Sequence, residues 1–448
     1  MRLQSAGKTR SAKVAGSGSV HYTGEVLTMK PHSSRGLSIQ AVWVFLLLSL
    51  FCTLPAIAAK KKTTTKVEVA TQQILHYHLD DPHTKAGFDE FYNAEYDAAI
   101  KDFETALQSH PTDPFAVNHL LTGVMFREMY RIGALDSELY ANEGFLHSKQ
   151  WPTDPKVNDE VNSLSQRALQ LENERLEKNA NDIDALYSRG VTRGLKSTWM
   201  ALVQKAWFSA LRNVVGARHD HERVLELDPN YTDSKMIVGM HLYVIGSLSW
   251  EAKIGASLVG LSGSREKGIQ YLYEAANAGG EASVDAKIAL ALFLRREQRY
   301  PEAITIVKGL SESYPKNFLM ALELANLYNA SGKGPEAIAA YRNLVKEAEE
   351  GKFLADAHVE NAWYGLGEAL RGQHQFGDSA AAYEKVLTFP KADPDLRLRA
   401  QLGAGEMFDA MQQRDDAVKC YKAVLAADAA DSPHAELAKK YLKQPFRM

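Results

Sequence analysis

Leu322-Glu323-Leu324-Ala325-Asn326-Leu327-Tyr328-Asn329-Ala330-Ser331-Gly332-Lys333-Gly334-Pro335-Glu336-Ala337-Ile338-Ala339-Ala340-Tyr341-Arg342-Asn343-Leu344 reads as two helices joined by a tight turn. Ser331-Gly332-Lys333-Gly334-Pro335 divides them. Glycine suits a helix end because it takes left-handed angles without a Cβ clash, and proline suits a helix start, where its missing N–H has no intrahelical partner. Across the turn the small and large side chains keep fixed distances. Ala325 is followed 12 positions later by Ala337 and 16 positions later by Tyr341, with Leu344 behind it. Two antiparallel helices at close range need a small side chain where each crosses the other. An aromatic ring one turn further on then fills the gap to the next hairpin.

The pattern recurs. Ala291-x-x-Leu294 is followed by Ala303, Val307, Leu310 and Pro315, and Gly367-x-x-Leu370 by Ser379, Tyr383 and Val386. Gly405-x-x-Phe408 is followed by Ala417, Tyr421 and Val424. Near the other end Gly87, Ala99, Phe103, Ala106 and Pro111 repeat it, and Gly123, Gly190 and Gly239 hold the first small position of three further hairpins. The intervals between these anchors are 36, 67, 49, 52, 34, 42 and 38 residues. A period of about 34 residues built as helix–turn–helix resembles the tetratricopeptide repeat. The expected fold is all-α: a right-handed solenoid of about eight hairpins, enlarged in the N-terminal half by longer helices or insertions, especially at Leu135–Asp159 and Leu195–Val215. Residues 81–280 form the enlarged hairpins, 281–431 the regular array, and Ser432-Pro433 opens a Lys-rich capping helix, Ala435–Leu442.

One stretch carries a narrower likeness. Val259-Gly260-Leu261-Ser262-Gly263-Ser264-Arg265-Glu266-x-Gly268 resembles the GFSGDRE-x-G segment of the tetratricopeptide repeat protein 39 family and its fungal relative, the inclusion-body clearance protein. Ser264 stands where that family has Asp, and the likeness spans Asp89 to Tyr341. It implies a non-enzymatic protein associated with membranes and lipid homeostasis. Read from the residues alone, Leu261-Ser262-Gly263-Ser264 is an interhelix turn, with Ser264 capping the next helix and Glu266 or Lys267 in its first turn.

The first 60 residues are of another kind. Residues 1–28 are polar and lack an apolar period. Lys30 and Arg35 precede an uncharged apolar run of 16 residues, Ile39 to Leu54, and Pro55 and Ala56-Ile57-Ala58 close it. Basic, apolar and small residues in that order suit a secretion signal, and the run is short of the roughly 20 residues of a membrane span. Cleavage after Ala58 is expected, with an uncleaved anchor as the alternative and Met29 as the better start. Residues 59–80 then read as a linker. The removed part would take six basic residues and one acidic residue with it, leaving the remainder more acidic than the whole chain's net charge of −3. That balance gives no electrostatic case for a nucleic-acid partner.

Few residues of this chain carry a chemical signature. His76-Tyr77-His78 and His219-Asp220-His221 put their histidines on different faces of a helix, which suits solvated histidines better than a metal. Cys420 reads as a small packed side chain, with Cys52 inside the apolar run. No nucleophile elbow, phosphate loop or metal set is evident, so no enzyme activity, metal or cofactor is expected. Trp363, Tyr383, Tyr341, Phe408 and Tyr421 fall on packing positions. Trp199, Trp207, Phe208 and Trp250, with Leu258, Val259 and Leu261, are the residues that could line an apolar groove.

The repeat resemblance implies that the first helix of each hairpin lines the concave side. That face presents Arg295, Arg296, Asn326, Asn329, Tyr364, Glu368, Arg371, Arg399, Glu406 and Asp409. Arg295, Asn326, Asn329, Tyr364, Arg371 and Arg399 are the expected partner-binding residues, suited to an extended peptide whose backbone the Asn amides can bond. Leu322 stands where a carboxylate clamp needs Lys. The expected role is a periplasmic or envelope-facing scaffold for a protein partner, with membrane or lipid association open. A lipid or small-ligand carrier and a helper subunit of a solute transporter are the alternatives.

Overall fold

A computed structural model describes residues 80–140, 152–250, 253–254, 257, 261–427 and 432–448. The expected secretion signal, most of the expected linker and His76-Tyr77-His78 lie outside the described residues, as do the groove candidate Leu258 and Val259 and Gly260 of the narrower likeness. Among the described residues there are seventeen α-helices, paired as eight hairpins and a cap. The hairpins are α1 Pro82–Tyr92 with α2 Tyr96–Ser109; α3 Pro114–Arg131 with α4 Pro155–Lys178; α5 Ile183–Thr198 with α6 Trp207–Leu227; and α7 Ser234–Gly246 with α8 Arg265–Ala278. Then come α9 Ser283–Arg296 with α10 Tyr300–Ser313; α11 Phe318–Ala330 with α12 Gly334–Glu349; α13 Val359–Gly372 with α14 Phe376–Leu387; and α15 Pro394–Ala410 with α16 Arg414–Ala427. Helix α17, Pro433–Lys443, closes the array. The expected eight hairpins and terminal cap are all present.

Local chemistry explains where these helices begin. Asp81, Asp113, Asp154 and Asp393 each precede a proline and accept a backbone N–H from the first turn. Ser264 accepts from the Lys267 N–H and Ser432 from the Ala435 N–H, as their positions foretold. Such caps contribute about 1 kcal/mol each. Within the hairpins, the turn places one residue in the left-handed region two positions before the second helix. These are Ala94, Lys205, Gln298, Gly332, His374 and Gln412, with φ of 61°, 54°, 58°, 76°, 57° and 63°.

The small–aromatic register holds. A Cβ added to Gly87 would come 2.5 Å from the Phe103 ring, one at Gly367 2.6 Å from Tyr383, and one at Gly405 2.7 Å from Tyr421. Rings at this position also reach the following hairpin: Phe103 lies against Gly123, Tyr341 against Gly365 and Tyr383 against Gly403. Gly263 and Gly268 explain the narrower motif. Their Cα atoms sit so close to the α7 backbone that added Cβ atoms would meet Gly246 N at 2.4 Å and Tyr243 N at 2.6 Å. The motif is therefore a turn that lets two backbones pack with no side chain between them.

Long helices and wide connections both enlarge these hairpins, with α3, α4 and α6 running to 18, 24 and 21 residues. A long connection containing the 3-10 turn Ser137–Tyr140 separates α3 from α4, and a wider π-type turn, Trp199–Val203, follows α5. The array also curls back on itself. Asn317 donates to the Tyr92 carbonyl at 2.8 Å, Arg127 meets Asp356 at 2.8 Å, and His119 meets Glu281 at 2.9 Å. One core accordingly joins Phe91, Phe103, Met125 and Trp199 to Phe318, Leu322, Tyr341 and Leu366.

Two expectations change. His221 is not solvated: it is fully buried, 3.1 Å from the Ser234 hydroxyl, in space left open by Gly190. Burial lowers it to about 3, so it stays neutral. His219 is the outward member of the pair, because positions two apart on a helix face nearly opposite ways. Nor do the central aromatics share one groove. Trp199 is interior, its indole N–H donating to Asn158, while Phe208 and Trp250 face outward at 65% and 70% exposure.

Candidate functional site

The first helices of hairpins five to eight carry the expected binding face, and the chain lays its own residues across part of it. After α3, Asp136-Ser137-Glu138 passes over α9, α11 and α13. Arg295 on α9 pairs with both Glu138 and Glu323, the latter at 2.9 Å. Ser137 donates to Glu323, and the Asn361 amide on α13 donates to Asp136 at 2.8 Å. The Glu138 side chain keeps half its surface open, whereas Arg295 and Glu323 are nearly closed off. Burial pushes Asp136 up to about 6 and Glu323 up to about 7, against the pull of Arg295 on each. Burial alone would lower His358, but the Glu360 carboxylate and the Arg131 carbonyl hold it above its ordinary value.

Further along, the face stays open. The Arg399 guanidinium on α15 lies 4.9 Å from the Tyr364 ring on α13, a cation–π contact between neighbouring hairpins. Arg399 also reaches Asp395 one turn earlier at 3.0 Å and remains exposed. Tyr364 is half-buried. Arg371 meets Glu406 at 2.6 Å, and its guanidinium lies 5.3 Å from the Phe446 ring. That ring arrives from the C-terminal tail, whose Phe446 N–H donates to Asp409. Arg414 holds the end of α17, from which the tail leaves, through the Tyr441 and Leu442 carbonyls at 2.7 and 2.9 Å.

The six expected binding residues thus divide. Arg295 and Asn326 are buried, with Asn326 accepting from the Tyr341 hydroxyl at 2.5 Å. Arg371 is half-buried beneath the tail; Asn329 and Tyr364 are half-buried and Arg399 is exposed. Spacing could not reveal the residues that cover Arg295, because Asp136-Ser137-Glu138 belongs to an irregular connection with no repeat signal. Phe446 likewise follows the last periodic residue. Among the described residues no cluster of three or more His, Cys, Asp or Glu is arranged to hold a metal. Cys420 is buried beside Tyr421, and burial pushes its thiol up, away from the reactive thiolate.

Eight stacked hairpins with a small–aromatic register make this an all-α solenoid of the tetratricopeptide type. Within it, residues 288–352 and 322–396 match the tetratricopeptide repeat family. Among solved structures, yeast Tom70 is similar at 13% identity over 81% of this chain and 90% of that one, with a TM-score of 0.37. A tetratricopeptide repeat protein from Parabacteroides merdae matches at 13% identity over 72% of this chain and 97% of that one, with a TM-score of 0.31. Human IFIT1, solved as a dimer with m7Gppp-AAAA, matches at 11% identity over 81% and 82%, with a TM-score of 0.39. No curated protein matches the sequence.

Proposed function

We propose that this protein is a non-enzymatic scaffold of the cell envelope that binds an extended segment of a protein partner along the inner face of its last repeats. The observation that carries this reading is the Tyr364–Arg399 contact. Two side chains from successive first helices stack into one platform, and neither is closed off by the rest of the chain. A bound segment would rest a side chain on the ring and set an acidic group against the guanidinium, with Asn329 on the preceding hairpin offering an amide. Tetratricopeptide arrays generally serve as protein-binding scaffolds, and the likeness of Gly263, Arg265, Glu266 and Gly268 to the tetratricopeptide repeat protein 39 family agrees with a role without catalysis. A ligand carrier has less support, since Phe208 and Trp250 face solvent instead of enclosing a chamber.

The experiment is a pull-down from detergent-solubilised envelope with wild type, Tyr364→Ala and Arg399→Ala. Truncating an interface anchor often costs about 2 kcal/mol or more, so partner recovery should collapse in both variants while the array stays folded. Undiminished recovery from both would refute the site. Export rests on the basic, apolar and small residues of 30–58. Mass spectrometry of protein made with its own leader should find Ala59 as the first residue; a species that retains Trp43 and partitions with membranes would favour the anchor.

A further inference from the structure

Hairpins three and four turn an apolar and basic end outward. Arg218 on α6 bonds His241 on α7 at 2.9 Å, and His221 bonds Ser234 at 3.1 Å, so the two helices run antiparallel. That register sets Val215 opposite Val244 and brings the start of α6 to the end of α7. Among the described residues eight large apolar side chains are exposed, and six belong to this end: Phe208, Val214 and Val215 on α6, and Val244, Trp250 and Ile254 on or just beyond α7. A solvated apolar cluster of this kind marks a contact surface.

Charge narrows what it contacts. From residue 185 to residue 219 the chain has no Asp or Glu, and Glu251 is the sole acid between Asp233 and Glu266. Of the cations in the first stretch, Arg189 and Arg193 clamp Asp220, and Arg218 is held by Glu222 and His241. Arg212 and Lys253 are exposed, and Lys205, half-buried, lies 5.7 Å from the Trp207 ring. The apolar side chains also protrude: Phe208, Trp250 and Ile254 are 65%, 70% and 54% exposed. Protruding groups enter an apolar phase; they do not form a groove that receives one. A second copy of this surface would bring cations against cations. An anionic bilayer instead offers an apolar layer directly beneath negative headgroups, where indole rings and the stems of Lys and Arg are both accommodated. None of the described helices is long and apolar enough to cross a membrane, so the contact is peripheral.

We propose that this end of hairpins three and four docks on an anionic lipid bilayer surface, with Phe208, Trp250 and Ile254 entering the headgroup–acyl boundary and Arg212 and Lys253 facing the phosphates. The site is separate from the partner face on α13 and α15, so either proposal can fail alone.

Hydrogen exchange of the full chain, with and without vesicles, tests it locally, whatever other segments bind. Phosphatidylglycerol–phosphatidylcholine vesicles should protect residues 205–215 and 244–254, and pure phosphatidylcholine vesicles should not. Arg212→Glu and Lys253→Glu should each weaken that protection by about fivefold or more, the worth of one cation near such a surface. The Phe208→Ser/Trp250→Ser pair should remove it with no loss of helix by circular dichroism, since both side chains are solvated in the free protein. Three results would overturn the proposal: vesicle binding that leaves both stretches unprotected; protection without vesicles that grows with protein concentration, which marks a second copy; or protection by an acidic amphipathic peptide and not by vesicles, which marks a protein partner.

Discussion

Arg295 pairs with Glu138, 157 residues earlier in the chain, and in doing so ties the third helix's exit to the fifth hairpin. The same guanidinium holds Glu323 on the next hairpin at 2.9 Å. A residue at a ligand position of the repeat therefore serves as a clasp within the array.

Breaking that clasp should be costly on one side only. Arg295→Ala strands the enclosed Glu323, and loss of one partner from a buried pair costs about 3 kcal/mol or more. Glu138→Ala removes a half-exposed partner and should cost under about 1 kcal/mol. Combining Arg295→Met with Glu323→Leu should recover most of the loss. Urea unfolding of the four proteins checks the ordering, and equal losses from Arg295→Ala and Glu138→Ala would contradict it.

Close approach at the glycines predicts a contrast near the C-terminus. A Cβ at Gly405 would sit 2.7 Å from the Tyr421 ring and 3.0 Å from Cys420 Cβ. Gly405→Leu should therefore destabilise by about 1–3 kcal/mol through overpacking. Lys439→Leu on the exposed side of α17 should leave the melting temperature nearly unchanged. Similar shifts in calorimetry would mean that the register is misassigned.

Turn strain can be relieved. Gln298 holds φ at 58° on an exposed turn, where a side chain costs about 1–2 kcal/mol relative to ordinary backbone. Gln298→Gly removes the clash and gives back part of the gain through a freer unfolded chain, for a net stabilisation of about 0.5–1 kcal/mol. The same change at Glu302, inside α10, should destabilise.

Glu172 should make stability depend on pH. It is fully buried and accepts from Ser188 at 2.9 Å and Thr192 at 2.6 Å. Burial nevertheless raises it from the ordinary 4.5 to about 7, against the hydrogen bonds from Thr192 and Ser188 and the charge of Arg189. The folded chain thus binds this proton more tightly than the unfolded chain does. Its contribution is complete below pH 4.5 and is lost as pH rises through about 7. Wild type should lose up to about 3 kcal/mol over that window relative to Glu172→Gln. Urea midpoints at several pH values check it; parallel profiles for the two proteins would exclude the effect.

Much of this architecture was legible because its causes are local. The partner of Gly367 is Tyr383 and that of Gly405 is Tyr421, each 16 positions on and within one hairpin, so spacing alone exposes the contact. Asp-Pro pairs mark helix starts for the same reason. The hairpin turns were less legible: of Ala94, Lys205, Gln298, Gly332, His374 and Gln412, only Gly332 announces a left-handed residue by its type. His219 and His221 could be assigned to opposite faces, but not which face was inside, since that depended on the space left by Gly190.

The six expected binding residues mark the division. The sequence by itself determined the hairpin, its register, its caps and the set of first helices that share a face, because helix geometry links residues within about 40 positions of one another. Tertiary structure alone decided that Arg295 is a clasp, that Arg371 lies under Phe446, and that Tyr364 and Arg399 remain open. Those outcomes follow from the small rotation added at each hairpin, which accumulates until the first repeats meet the sixth and seventh. No single residue encodes that sum, so polar groups such as Asp136 and Asn361 find each other only after the whole array has stacked.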